Sequence, residues 1–207
     1  MACKWVIGAS SYLDVAHEAW SRAFPDLRIA KVIITQDTHY RFNLEPLDAL
    51  DPADGTAFVA LDERFGNFKR VELMQMVMER GFKLESFISP YAMLAGDVQV
   101  GPNAFVGDGV IAGPGSRIGY NSVLRPGVQV GSSVHIRPSC WLDSGVIVGD
   151  GVQFGAHCTV RSGAVIAPHV QIGRNCELGW PRRYDKDLAP KTIYDTRYDA
   201  PIYTYDH

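Results

Sequence analysis

Residues 122–154 read SVLRPG VQVGSS VHIRPS CWLDSG VIVGDG VQF, and written in sixes the third letter is always large and apolar: Leu124, Val130, Ile136, Leu142, Val148 and Phe154. The register continues without a slip. It runs back through Ile118, Ala112 (the one small member), Val106 and Val100 to Leu94, and forward through Val160, Ile166 and Ile172 to Leu178. Two residues before each later member stands a second small or β-branched residue, such as Val128, Val134, Cys140, Val146 and Val152. Two inward residues with an outward one between them make a short strand, because side chains alternate along extended chain. Between the strands lie dipeptides that turns require: Asp108-Gly109, Pro114-Gly115, Pro126-Gly127, Ser144-Gly145, Asp150-Gly151 and Ser162-Gly163. Each hexad is one wall, and three walls close a coil of about eighteen residues whose neighbours stack at roughly 4.8 Å. This period predicts a parallel β-helix of about five coils. Its inward side chains, at about 1.5–3 kcal/mol each, suffice for a core.

The outward strand positions divide by wall. One is wholly polar, with Gln99, Arg117, His135, Gln153 and Gln171. The second carries Met93, Ile111, Gln129, Ile147 and Val165, and the third Phe87, Phe105, Val123, Trp141, Thr159 and Glu177. Two largely apolar faces predict burial against something. That is either other copies of the chain, with the buried edge near Pro126, Ser144 and Ser162, or cover in cis by the tail or the N-terminal region.

Across 207 residues, 46% apolar and 21% charged, with a net charge of −3, the chain fits one or two globular domains. No basic excess exists to neutralise phosphates, which argues against a nucleic-acid or membrane-surface role. Met1-Ala2-Cys3-Lys4-Trp5 leads into a short apolar run rather than a signal peptide, so a cytoplasmic location is expected. Cys140, Cys158 and Cys176 fall one coil apart on an inward column that takes Ala104 and Ser122 earlier. They read as small buried residues rather than metal ligands.

Residues 1–86 alternate differently. Trp5–Ile7 reads as a strand, Leu13–Phe24 as a helix stopped by Pro25, and Ile29–Ile34 and Ala57–Leu61 as further strands. A second helix over Phe68–Arg80 carries Val71, Met74, Val77 and Met78 on its core face and stops at Gly81. That order predicts a small α/β (Rossmann-like) domain with a parallel sheet. Gly8-Ala9-Ser10-Ser11-Tyr12 joins the first strand to the first helix. It is either an anion-holding loop at a helix N-terminus or a tight turn with a serine cap, and it lacks the three-glycine dinucleotide pattern. The β-helix is expected over 87–179. A tail with Tyr-Asp at 184, 194, 198 and 205 follows over 180–207, draped over the β-helix or a neighbouring subunit.

Val6-Ile7-Gly8-Ala9-Ser10, Phe58-Val59-Ala60-Leu61, Gly81-Phe82-Lys83-Leu84 and Ile88-Ser89-Pro90-Tyr91-Ala92, followed by uninterrupted hexads, resemble the hexapeptide-repeat sugar acyltransferases of the sialic-acid O-acetyltransferase and bacillosamine N-acetyltransferase type. The resemblance implies an α/β N-terminal domain followed by a left-handed parallel β-helix. It implies a homotrimer, with acetyl-CoA as co-substrate in a groove between prisms and no resident metal. The acceptor would be an amino or hydroxyl group of a sugar or nucleotide sugar, bound by the N-terminal domain at Gly8, Ser10, Ser11 and Tyr12. His135 matches a family histidine near the thioester, and Ser144, Ala156 and Arg174 match residues lining the coenzyme groove.

The reaction needs a general base for the attacking group and a donor for the oxyanion. The family's base is a histidine followed by an acidic residue on a turn that here reads Pro126-Gly127, and neither can accept a proton. His135 and His157 are therefore the candidates for a relocated base, with His169 on another corner. Three readings stay open: a CoA-dependent acyltransferase with direct transfer, a catalytically silent binding or scaffold subunit, and a metal-binding prism that joins His157 and His169 to a third histidine.

Overall fold

The computed structural model describes residues 3–204, so Met1, Ala2 and the Tyr205-Asp206 repeat lie outside it. The chain divides into two compact units between Phe87 and Ile88, one residue beyond the expected boundary.

The N-terminal unit is built on a three-stranded parallel sheet. Cys3–Gly8 is its central strand, with Arg28–Ile33 on one side and Gly55–Ala60 on the other. Helices Ser10–Ala23 and Phe68–Glu79 complete the expected α/β order. Every residue of the central strand is buried, including Lys4, whose ammonium bonds the Glu85 carboxylate and the Thr56 hydroxyl and lies 4.4 Å above the Trp20 ring. Burial pulls the Lys4 pKa below its ordinary value, against the opposing pull of Glu85. Cys3 is a buried strand residue between Arg28 and Gly55. In the second helix the buried face is Arg70, Leu73, Met74 and Val77. Met78 is 52% exposed, because the helix turns the position after Val77 away from the sheet. An antiparallel hairpin, Thr35–Gln36 with Phe42–Asn43, has no counterpart in the sequence reading.

The second unit is a left-handed parallel β-helix. Its second wall stacks strands Met93–Leu94, Ile111–Ala112, Gln129–Val130, Ile147–Val148, Val165–Ile166 and Arg183–Tyr184 in parallel. The polar wall stacks Gln99–Val100 through Gln171–Ile172, and the third wall Phe105–Val106 through Glu177–Leu178, each with the partner one coil away. The inward residues are those of the hexad register, buried in one continuous core.

The tail does not drape. Arg183–Tyr184 adds a sixth strand to the second wall, Leu188 bridges Ile172 on the polar wall, and Thr192–Tyr194 pairs with Glu177–Leu178 on the third. This coil breaks the hexad count, with Leu188 and Tyr194 each sixteen positions after the residue below, so the periodicity could not reveal it. Trp180, Tyr184 and Tyr194 fill its interior, with ring centroids 4.9 Å apart for Trp180–Tyr194 and 5.1 Å for Tyr184–Tyr194. The Tyr184 hydroxyl donates to the Trp180 carbonyl at 3.0 Å, and burial pushes its pKa up to about 12.

The apolar outward faces behave differently from each other. Met93, Ile111 and Ile147 on the second wall are exposed, Met93 by 61%. Phe105, Val123 and Trp141 on the third wall are buried. The Trp141 indole N–H donates to Asp143 at 2.7 Å, and the Arg125 guanidinium lies 5.9 Å from its ring.

Two stability outcomes follow. A Cβ on Gly8 would fall 1.7 Å from the Ala60 carbonyl oxygen in the adjacent strand, so Gly8→Ala is expected to destabilise the protein by about 3 kcal/mol in urea unfolding. Tyr184→Ala removes the plug of the last coil and is expected to cost about 3–5 kcal/mol in the same measurement.

Candidate active site

The polar wall presents a groove. About 410 Å³ in volume, it is lined by Gln99, Arg117, His135, Arg137 and Pro138 together with the backbone of their strands. Register makes this cluster: Gln99, Arg117, His135 and Gln153 are direct partners on successive coils, so their side chains project from one face at the spacing of stacked strands. His135 is half-buried and opens onto the groove. Arg137 was not among the expected site residues. Its signal was available, because the matching corner position is glycine at 101, 119, 155 and 173.

His157 is held differently. It occupies a corner column of residues with left-handed backbone: Asn103, Asn121, Ser139, His157 and Asn175, all with φ between 56° and 61°. The lower members form a buried ladder, in which the Asn103 amide donates to Asn121 at 2.8 Å and the Asn121 amide to Ser139 at 3.1 Å. His157 is the next rung and its Nδ1 is buried. Its side chain thus serves the corner before it serves solvent. Asparagine tolerates this backbone and β-branched residues do not. His157→Asn is accordingly expected to keep stability within about 0.5 kcal/mol, and His157→Val to lose about 1–3 kcal/mol, by thermal unfolding.

The expected coenzyme-groove residues do not meet in one chain. Ala156 and Arg174 lie on the corner that follows the polar wall, Arg174 exposed, whereas exposed Ser144 lies on the corner after the third wall, one coil above Pro126. His169 sits on yet another corner, exposed, with φ 66°. Among the described residues no group of three or more His, Cys, Asp or Glu side chains could hold a metal ion.

Asp108 stands one coil below Pro126 in the same corner column and accepts from the Ser89 hydroxyl at 2.5 Å; one coil above, beside Ser144, stands Asp143. Its carboxylate accepts from Trp141 and lies 3.6 Å from Arg161, which also pairs with Glu177 at 3.1 Å. The three prism thiols are committed to backbone carbonyls: Cys140 to Gly155 at 3.2 Å, Cys158 to Gly173 at 3.1 Å and Cys176 to Ala189 at 3.2 Å. Hydrogen bonding to the neighbouring thiol, followed by burial, raises the pKa of Cys158 and Cys176 well above the ordinary thiol value. Inward, protonated thiols are not nucleophiles.

In the N-terminal loop, Ala9 rather than a serine is the N-cap, and no side chain caps the helix. Ser10 has left-handed backbone at φ 67°, and its hydroxyl is buried without a hydrogen-bond partner. The serine-cap reading therefore fails. Ser11 is exposed, Tyr12 is buried, and Gly8 is explained by its approach to Ala60. Among the described residues, no helix is long and apolar enough to cross a membrane.

A scan of protein-family models finds no match to this chain, and a search of curated proteins finds none either. Solved structures do match. A variant of perosamine N-acetyltransferase from Caulobacter crescentus, in complex with CoA and GDP-perosamine, superposes with a TM-score of 0.79 at 23% identity over 93% of both chains. PerB from the same organism, with the same two ligands, gives the same figures, a TM-score of 0.79 at 23% identity over 93% of each chain. WeeI from Acinetobacter baumannii AYE matches with a TM-score of 0.51 at 14% identity, over 96% of this chain and 100% of that one. The chain thus has the fold of the two Caulobacter proteins over 93% of its length.

Proposed function

We propose that this chain is a CoA-dependent acyltransferase that acetylates an amino group of a nucleotide-linked sugar. The observation that carries the reading is the full-length likeness to a sugar N-acetyltransferase fold whose structures hold CoA and GDP-perosamine, combined with a histidine-bearing groove on the polar wall. Acetyl-CoA is then the acyl donor, and the loop at Gly8, Ser10, Ser11 and Tyr12 contacts the acceptor. The unpartnered Ser10 hydroxyl supports that role, since a buried polar group without a partner is costly unless a ligand completes it.

His135 acts as the base. Its imidazole takes a proton from the acceptor amine as the nitrogen attacks the thioester carbonyl carbon. The C–S bond then breaks, and the imidazolium returns the proton to the departing thiolate. Asp143 is the weaker candidate because its lone pairs already serve Trp141 and Arg161. His157, as a rung of the corner ladder, has a positioning role at most.

The working form is a homotrimer. Ser144 and the pair Ala156 and Arg174 lie on different corners, and two prisms side by side can bring them to one groove. Exposed Met93, Ile111 and Ile147 supply apolar surface for such packing. Four free thiols, all buried, support residence in the reducing cytoplasm.

The second reading, a silent binding subunit, rests on Pro126-Gly127. Thiol release from acetyl-CoA in the presence of amino nucleotide sugars decides between the two. The acyltransferase reading expects release that falls about a hundred-fold or more in kcat in His135→Ala, with little change in KM for the coenzyme. Coenzyme binding without release from any acceptor would favour the silent subunit.

A further inference from the structure

The cations of the polar-wall groove stand where the repeat has other residues. At the corner that follows this wall, a Cβ on Gly101, Gly119, Gly155 or Gly173 would fall 2.3–2.6 Å from a backbone nitrogen of the next coil. The repeat therefore excludes side chains from this column, and Arg137 is its exception. The cost is visible in the backbone. The coil-to-coil bond donated by the Arg137 N–H is 3.3 Å long, against 2.8 Å for Gly101, 2.8 Å for Gly119, 2.7 Å for Gly155 and 2.9 Å for Gly173. On the wall itself the outward position is glutamine at 99, 153 and 171, but arginine at 117 and histidine at 135. Two guanidiniums and an imidazole thus line one groove of a chain whose net charge is −3. Among the described residues neither guanidinium has an ion-pair or hydrogen-bond partner. Guanidinium is always charged, and its planar donors match the oxygens of a phosphate in pairs.

We propose that Arg137 and Arg117, with His135 as the strand partner of Arg117 and two residues before Arg137, form an oxyanion subsite that holds a phosphate of a nucleotide-bearing substrate. Within the acyltransferase reading, on which the identity of that substrate rests, the phosphate belongs either to the coenzyme or to the nucleotide of the acceptor. In both cases it anchors the ligand beside His135, so the reacting groups meet the imidazole.

The test is calorimetric titration of the full chain with inorganic pyrophosphate, coenzyme A, dephospho-coenzyme A and GDP. The variants are Arg137→Gly and Arg117→Gln, which install residues the repeat already uses at these positions, and their thermal unfolding verifies that they fold. Wild-type protein is expected to bind pyrophosphate in a salt-sensitive manner, and each variant to bind it at least ten-fold more weakly. Whichever of coenzyme A and GDP loses affinity by the same factor identifies the source of the phosphate. A variant effect present with coenzyme A and absent with dephospho-coenzyme A assigns it to the ribose phosphate. Failure of wild type to bind any of these anions, or equal binding by folded variants, overturns the subsite. Loss of pyrophosphate binding in the variants, alongside wild-type protein that releases no thiol, would keep the subsite and reject acyl transfer.

Discussion

Backbone hydrogen bonding from each coil to the next is the constraint on which the whole second unit depends. A strand of two residues has no stability alone. It persists because its amide and carbonyl are both met one coil away, as where the Trp141 N–H donates to the Cys158 carbonyl at 2.8 Å and the Val123 N–H to the Cys140 carbonyl at 2.8 Å. Once that pairing is imposed, the side chain at a given position must resemble the one a coil above it. Inward columns become aliphatic or thiol, tight corners become glycine, and left-handed corners become asparagine, serine or histidine. Function has to be written in the remaining outward positions, where a coil can differ from its neighbours without disturbing the stack.

The groove at His135 is such a difference. Three coils use glutamine on the polar wall, one uses arginine and one histidine, and the single arginine in the glycine column adjoins them. His157 shows the opposite case. It looks like a functional residue in the sequence, yet its backbone at φ 61° and its place above Ser139 tie it to the corner column. A histidine in a solenoid is therefore assessed by its column first and its chemistry second.

The hexad register made the β-helix readable because one physical period, repeated without interruption, has few structural solutions. The α/β order of the first unit was equally visible in its strands and helices. The final coil was legible only in part, since Tyr184 keeps the register while Leu188 and Tyr194, at spacings of sixteen, leave it. Burial of Cys3 depends on pairing with strands more than twenty and fifty positions away, which no local pattern carries. Cover over Trp141 likewise comes from tertiary packing. At the site, His135 could be read as outward and polar, whereas Ser10 could not be read as strained and unpartnered, because both properties arise only when the loop closes against the sheet.

The end of the solenoid holds a further consequence. A parallel β-helix finishes on a rung whose amides and carbonyls point along its axis, and a rung of that kind is a template for another chain. Here the third wall continues into Thr192–Tyr194 and is then met by Ile202–Tyr203 running the other way, with Thr204 also bonded back to Lys191. Reversal of direction replaces the repeating donor pattern with one that no incoming parallel coil can match on that wall. The terminal hairpin thereby occupies that edge with an antiparallel strand rather than leaving it open to a parallel one.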